Sequence, residues 1–203
     1  MITVCPVHPH IGAEIKGIDL TQPLDEQAFS IVLDAFNKHS VLVFRNQPLD
    51  DLEQVEFSQR FGTLEKTSFG TAAGSEFIYK LSNIDDKGKI LKEGSAKRNF
   101  LLVNGRWHTD SSFRKTPAMA SILSGREVPG GEPGDTGFAS MRVGYETLPE
   151  SRRKELAQMV AYHHYAYSVG LFGHTGVTDQ ELAALPPVSH PLVRIHPGTG
   201  KPS

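Results

Sequence analysis

Apolar and polar positions follow two different periods in the first part of the chain. Residues 11–20 alternate between apolar and polar side chains, which predicts a strand or hairpin near a sheet edge. Between residues 25 and 39 the apolar side chains recur at helical spacing, and Asp25 is placed to cap the first turn. The apolar run 41–44 predicts a short, fully buried strand. The N-terminal part therefore combines a sheet with at least one amphipathic helix.

A second helix is predicted over residues 50–61. Asp50 followed by Glu53 resembles a capping box, and Gly62 supplies a stop. The next stretch, residues 83–106, is charged, contains glycine and has no period, which predicts a long binding loop or lid.

Short strands and turns dominate the predicted second half. Strand-like segments are predicted at residues 77–81, 107–113, 118–123, 136–140, 162–167 and 192–195. A helix broken at Pro149 is predicted over residues 141–160, and a short one begins at Thr178. The 19 glycines and 13 prolines favour turns over a helical bundle. Together these elements predict one α+β domain, residues 1–203, rich in β-structure and built around a sheet sandwich or small barrel.

Composition excludes several functional classes. With 21 basic and 23 acidic residues and no long basic run, the chain lacks the footprint of a nucleic-acid binder. No run of eighteen apolar residues predicts a membrane span, and the N-terminus lacks the features of a signal peptide. The one cysteine, Cys5, rules out an intrachain disulfide and is interpreted as a bystander. We therefore expect a cytoplasmic protein.

His108 and Asp110 form the motif with the clearest chemistry. On a strand, residues two apart point to one face, so the imidazole and the carboxylate would converge. One histidine and one carboxylate are two-thirds of the facial triad of non-haem Fe(II) oxygenases. A hydrogen-bonded His–Asp pair on a strand is the structural alternative, and spacing alone leaves it open.

Blocks along nearly the whole chain resemble one enzyme family. They include residues 11–15 (IGAEI), 41–47 (VLVFRNQ), 61–65 (FGTLE), 106–113 (RWHTDSSF), 134–139 (GDTGFA), 145–149 (YETLP) and 190–197 (HPLVRIHP). In order and content they resemble the Fe(II)/2-oxoglutarate dioxygenases that include taurine dioxygenase and dichlorophenoxyacetate dioxygenase.

This resemblance implies both a fold and a site. The fold is a double-stranded β-helix, a jelly-roll or cupin-like core with flanking helices. His108 and Asp110 would bind Fe(II), and Thr136 would help to hold the distal carboxylate of 2-oxoglutarate. Asn104 and Ser111 occupy positions similar to the family's substrate contacts. Lys89, in the predicted long loop, is a candidate partner for an anion, against the alternative of a solvated surface charge.

The implied reaction uses dioxygen to decarboxylate 2-oxoglutarate to succinate and carbon dioxide while a small anionic substrate is hydroxylated. The substrate would resemble an aryloxyacid or a sulfonate, and a homo-oligomer is left open. Two other functions stay open at this point. One is an inactive, shortened remnant that binds a small anion or a partner, and the other is a zinc hydrolase with a similar ligand set.

The third iron ligand has no match among the downstream histidines. These are His163, His164, His174, His190 and His196. In the family, the second iron-binding histidine and the arginine that pairs with 2-oxoglutarate lie beyond the block at 190–197. We therefore expect a core that is incomplete at its C-terminus. His190 and His196 are expected to flank a strand and to form local hydrogen bonds.

Overall fold

The structure is a computed structural model of the 203-residue chain. It describes residues 1–66, 75–85, 87–103, 105–128, 130, 135–170 and 178–203. The chain divides into two compact units. The first unit comprises Met1–Arg60, Ile122–Met159 and Pro191–Ser203, and the second comprises Phe61–Ser121 and Val160–His190.

A three-stranded sheet begins the first unit. Its strands are β1 (Thr3–Pro6), β2 (Ala13–Lys16) and β3 (Leu42–Val43). β1 pairs antiparallel with β2, and β2 pairs parallel with β3. β2 confirms a strand within residues 11–20, but its predicted place near a sheet edge is wrong, because β2 lies between β1 and β3. The 41–44 prediction is wrong in burial, because β3 is only half-buried and has two residues.

Two helices follow the predicted bounds closely. α1 (Glu26–His39) begins where the Asp25 carboxylate accepts a hydrogen bond from the Ala28 N–H, at 2.7 Å. α2 (Asp51–Gln59) begins with a complete capping box, in which Asp50 and Glu53 each bind the other's backbone N–H. Both starts were predicted because a cap depends on residues only three positions apart.

The core lies mainly in the first unit. Of nine buried apolar residues among those described, only Leu91 belongs to the second unit. The others are Ala13, Ile15, Leu20, Phe29, Val32, Ala35, Leu49 and Phe57. The described residues include no helix long and apolar enough to cross a membrane.

The remaining elements are short. They are α3 (Ala96–Val103), α4 (Met141–Glu146), α5 (Glu150–Leu156), β4 (Val160–His163), α6 (Tyr165–Gly170), α7 (Asp179–Ala183) and β5 (Val188–Pro191). The helix predicted over residues 141–160 is confirmed as the two pieces α4 and α5, but it ends at Leu156, and Val160 begins β4 instead. The helix after Thr178 is confirmed as α7. The aperiodic loop at 83–106 is wrong in part, because it contains α3 and a bridge between Ile84 and Ile90.

Several predicted strands are absent from the described segments. Residues 77–81, 107–113, 118–123 and 136–140 form no regular strand, and the last strand, β5, precedes residues 192–195. Residues 162–167 divide between the end of β4 and the start of α6. Alternation predicts an extended backbone, but a strand also needs a neighbour that completes its hydrogen-bond ladder. The described residues contain five strands, in sheets of three and two.

Candidate metal site

His108 and Asp110 converge at a turn in the second unit. Residues 107–109 have no regular structure, and a turn begins at Asp110. The imidazole Nε2 of His108 lies 3.2 Å from Oδ1 of Asp110. Both side chains are about half exposed, at 48% and 58%. The two groups therefore face each other where solvent and solutes can reach them.

The other imidazole nitrogen fixes the tautomer of His108. Nδ1 lies 2.6 Å from the backbone carbonyl of Arg106, and a carbonyl can only accept a hydrogen bond. Nδ1 must therefore carry a proton. In the neutral ring, Nε2 then presents a lone pair to the Asp110 carboxylate, which also presents lone pairs. Two acceptors at this distance need a cation or a proton between them.

Asp110 divides its two oxygens between different tasks. Oδ2 accepts a hydrogen bond from the Ser121 hydroxyl at 2.7 Å, which leaves Oδ1 directed at His108. Two ligands on adjacent corners of an octahedral metal lie about 3.0 Å apart when their bonds are about 2.1 Å long. The observed 3.2 Å spacing and the imidazole–carboxylate donor set therefore fit a divalent iron.

A hydrogen-bonded turn follows directly after Asp110 and is held by the Glu65 carboxylate. Ser111 has a left-handed backbone with φ of 57°, which costs a non-glycine residue roughly 1–3 kcal/mol. Its hydroxyl donates to Oε2 of Glu65 at 2.7 Å, and the Nε–H of Arg114 donates to Oε1 at 2.7 Å. The Arg114 N–H also donates to the Ser111 carbonyl at 2.9 Å. One carboxylate thus holds both ends of the 111–114 turn.

His190 corrects the expectation of a local role. It lies inside β5, it is buried, and its Nε2 is 3.0 Å from the Arg114 carbonyl, 76 residues away. The sequence missed this contact because no local pattern relates two residues that lie 76 positions apart. Its ring lies 5.4 Å from the ring of His163.

The other histidines supply no third ligand among the residues described. The backbone N–H of His196 donates a local hydrogen bond to the Lys201 carbonyl at 2.8 Å, whereas its buried imidazole Nδ1 has no hydrogen-bond partner among the described residues. Burial, assisted by Arg142, lowers its pKa. His164 is half-buried, and His174 lies outside the described residues. The described His, Cys, Asp and Glu side chains form no group of three able to hold a metal.

The remaining candidates lie in different places. Thr136 is exposed in a stretch of the first unit that has no regular secondary structure. Lys89 is exposed in the second unit, where its backbone N–H donates to the Asp85 carboxylate at 2.9 Å. Asn104 lies outside the described residues. The structure gathers His108, Asp110 and Ser111 along one turn.

Glu65 and Ser121 are contacts that the sequence did not identify. Glu65 closes the block 61–65 noted in the sequence, yet it lies 46 residues before Ser111. Ser121 follows Asp110 by 11 residues, a spacing that no regular element brings into contact. No local pattern could have paired either residue with the site.

Known proteins match this chain over nearly its whole length, and the family, sequence and structure comparisons agree. The family described as "Taurine catabolism dioxygenase TauD, TfdA family" matches residues 3–203. An alpha-ketoglutarate-dependent 2,4-dichlorophenoxyacetate dioxygenase from Cupriavidus pinatubonensis is 35% identical over 201 residues, which cover 97% of this chain and 70% of that protein.

Two further proteins extend the comparison. An alkylsulfatase from Acinetobacter baylyi is 36% identical over 203 residues, covering 95% of this chain and 59% of that enzyme. The crystal structure of AAD-2 in complex with Mn(II) and N-oxalylglycine superposes with a TM-score of 0.79 at 32% identity. That match covers 100% of this chain and 70% of AAD-2.

Proposed function

The chain belongs to the TauD/TfdA family of dioxygenases, and from this premise we propose that it acts as an Fe(II)- and 2-oxoglutarate-dependent dioxygenase. Its substrate is a small organic anion of the aryloxyacid or sulfonate class, hydroxylated with release of succinate and carbon dioxide. The family fold supports a double-stranded β-helix as the complete architecture. Residues 1–203 then form one dioxygenase-like domain, which matches 70% of the length of the dichlorophenoxyacetate dioxygenase. A cytoplasmic location is a prediction from the sequence.

The His108–Asp110 pair carries this proposal. Nε2 and Oδ1 are the atoms that would hold Fe(II), because Nδ1 is committed to Arg106 and Oδ2 to Ser121. When bound, Fe(II) with 2-oxoglutarate and dioxygen supplies the oxidising chemistry. The protein's part is to hold the Nε2 and Oδ1 atoms 3.2 Å apart, which is close to the spacing that two ligands of one metal ion need.

The cosubstrate and the substrate need groups that recognise anions. We assign Thr136 to the distal carboxylate of 2-oxoglutarate, since an exposed hydroxyl donates a hydrogen bond without competing for the metal. Asn104 and Lys89 are assigned to the substrate as an amide donor and a cation. Ser111 is assigned to a hydrogen-bond donor of the substrate and not to its anionic group, since the Ser111 hydroxyl already donates to Glu65 and its oxygen can only accept.

Anaerobic absorption spectroscopy tests the proposal directly. Fe(II) and 2-oxoglutarate added together should give a weak metal-to-ligand charge-transfer band, which should disappear in His108→Ala and in Asp110→Ala. His8→Ala is the matched control, because His8 is an exposed histidine in the first unit and should leave the band unchanged.

Turnover is measured as succinate formed per dioxygen consumed. Suitable substrates are 2,4-dichlorophenoxyacetate, taurine and an alkyl sulfate, chosen from the chemistry of the family and the relatives. A band without succinate would favour a binding remnant. A band that survives in both His108→Ala and Asp110→Ala would exclude this site.

A further inference from the structure

Glu65 makes contacts that bear on the orientation of Asp110. Its two oxygens accept hydrogen bonds from Ser111 and Arg114, both at 2.7 Å. The side chains of Glu65 and Arg114 are 30% and 27% exposed, so this ion pair is better shielded than the half-exposed pair it adjoins. Charge-assisted bonds with this partial shielding are among the stronger polar contacts in proteins.

The backbone at Ser111 explains why such a contact is needed. A serine at φ of 57° reverts to a commoner conformation unless surrounding contacts hold it. The peptide between Asp110 and Ser111 would then turn, and the Asp110 carboxylate would turn with it. The Ser121 hydroxyl restrains one carboxylate oxygen but not the backbone beneath it.

We infer that Glu65 is a positioning residue, which acts through Ser111 and Arg114 to hold the Asp110 carboxylate beside the His108 imidazole. The inference rests on the proposed function, because it gives Glu65 a task only if these two groups bind a metal. Glu65 does not touch the metal position itself. Its loss should weaken metal binding while His108 and Asp110 are both still present.

Anaerobic titration of the full chain with Co(II) alone tests this role. The ligand-field absorption of Co(II) reports the donor geometry, and the fluorescence of Trp107, the single tryptophan, reports binding next to His108. Loss of a residue that orients a ligand costs about 10- to 100-fold in metal affinity. We expect a loss in this range for Glu65→Ala, with a changed Co(II) spectrum.

Two variants of Ser111 test the same role and should fold even if Glu65→Ala does not. Ser111→Ala removes the hydroxyl and keeps the strained backbone, whereas Ser111→Gly removes both the hydroxyl and the strain. We therefore expect Ser111→Ala to lose more Co(II) affinity than Ser111→Gly. Asp51→Ala, which removes an ion pair to Arg126 in the first unit, is the control and should bind like the wild type.

The outcomes separate the two levels of the proposal. The role of Glu65 is overturned if Ser111→Ala binds Co(II) within twofold of the wild-type affinity and Glu65→Ala, where it folds, does the same. If His108→Ala still abolishes binding in the same series, the metal site stands without it. Wild-type binding by His108→Ala, or no Co(II) uptake by the unmodified chain, overturns the proposed function and this inference together.

Discussion

Two regions of the molecule are stabilised by different forces. One is the layer formed by β2 and α1 in the first unit, and the other is the candidate metal site at residues 108–114 in the second unit. In the layer, β2 and α1 bury Ala13, Ile15, Phe29 and Val32. In the segment of residues 108–114, the side chains are exposed or half-exposed, and hydrogen bonds to Glu65 and Ser121 orient them. Apolar burial is non-directional, whereas hydrogen bonds set orientation. The stability of the first unit and the geometry of the candidate metal site therefore depend on separate residues.

Removing the Phe29 side chain should give the largest effect. Phe29 is 8% exposed on α1, and the Arg60 guanidinium lies 4.4 Å from its ring centre. Phe29→Ala should lower the free energy of unfolding by about 3–5 kcal/mol, measured by urea denaturation. The Co(II) affinity of the folded fraction should stay within twofold.

Leu52 on α2 gives the matched control for that variant. It is 73% exposed, so Leu52→Ala should change stability by no more than about 0.5 kcal/mol. A loss of Co(II) affinity in Phe29→Ala comparable to that of a ligand variant would show that the two regions are not separable.

Ser121→Ala should produce a smaller effect, and it should lower metal affinity and not stability. It removes the donor to Asp110 Oδ2, so the carboxylate can rotate, and Co(II) affinity should fall about 10-fold. Stability should change little because Ser121 is exposed. Ser58→Ala removes a hydroxyl that donates to the Gln54 carbonyl in α2, and it should leave metal affinity intact. Equal affinities in the two variants would contradict the role of Ser121.

The smallest effect concerns pH and the first unit alone. Burial, with repulsion from Lys38 and Arg142, lowers the pKa of His39, and burial with Arg142 lowers that of His196. Both imidazoles therefore bind fewer protons in the folded chain than in the unfolded chain. The free energy of unfolding should be level above the unfolded pKa of about 6.5 and fall as the pH drops below it.

Urea midpoints measured between pH 5 and pH 8 check this dependence. His196→Gln should make the decline shallower, whereas His8→Gln, at an exposed position, should leave it unchanged. A urea midpoint that rises as the pH falls through this range would contradict the lowered pKa values of His39 and His196.

Local signals predicted the helices well and the strands poorly. The Asp25 cap and the Asp50–Glu53 capping box are complete within four residues, so the sequence contains everything that determines them. A strand such as the one predicted at 118–123 depends on a neighbour elsewhere in the chain. The sequence shows its alternation but not that neighbour.

The sequence by itself determined which donor types the candidate site offers, because the imidazole of His108 and the carboxylate of Asp110 are present in any conformation. Only the tertiary structure decided which atoms are available. Glu65 lies 46 residues from Ser111, and His190 lies 76 residues from Arg114, so no local pattern records these contacts. Donor types are a property of single residues, whereas their orientation depends on hydrogen bonds that form after distant segments meet.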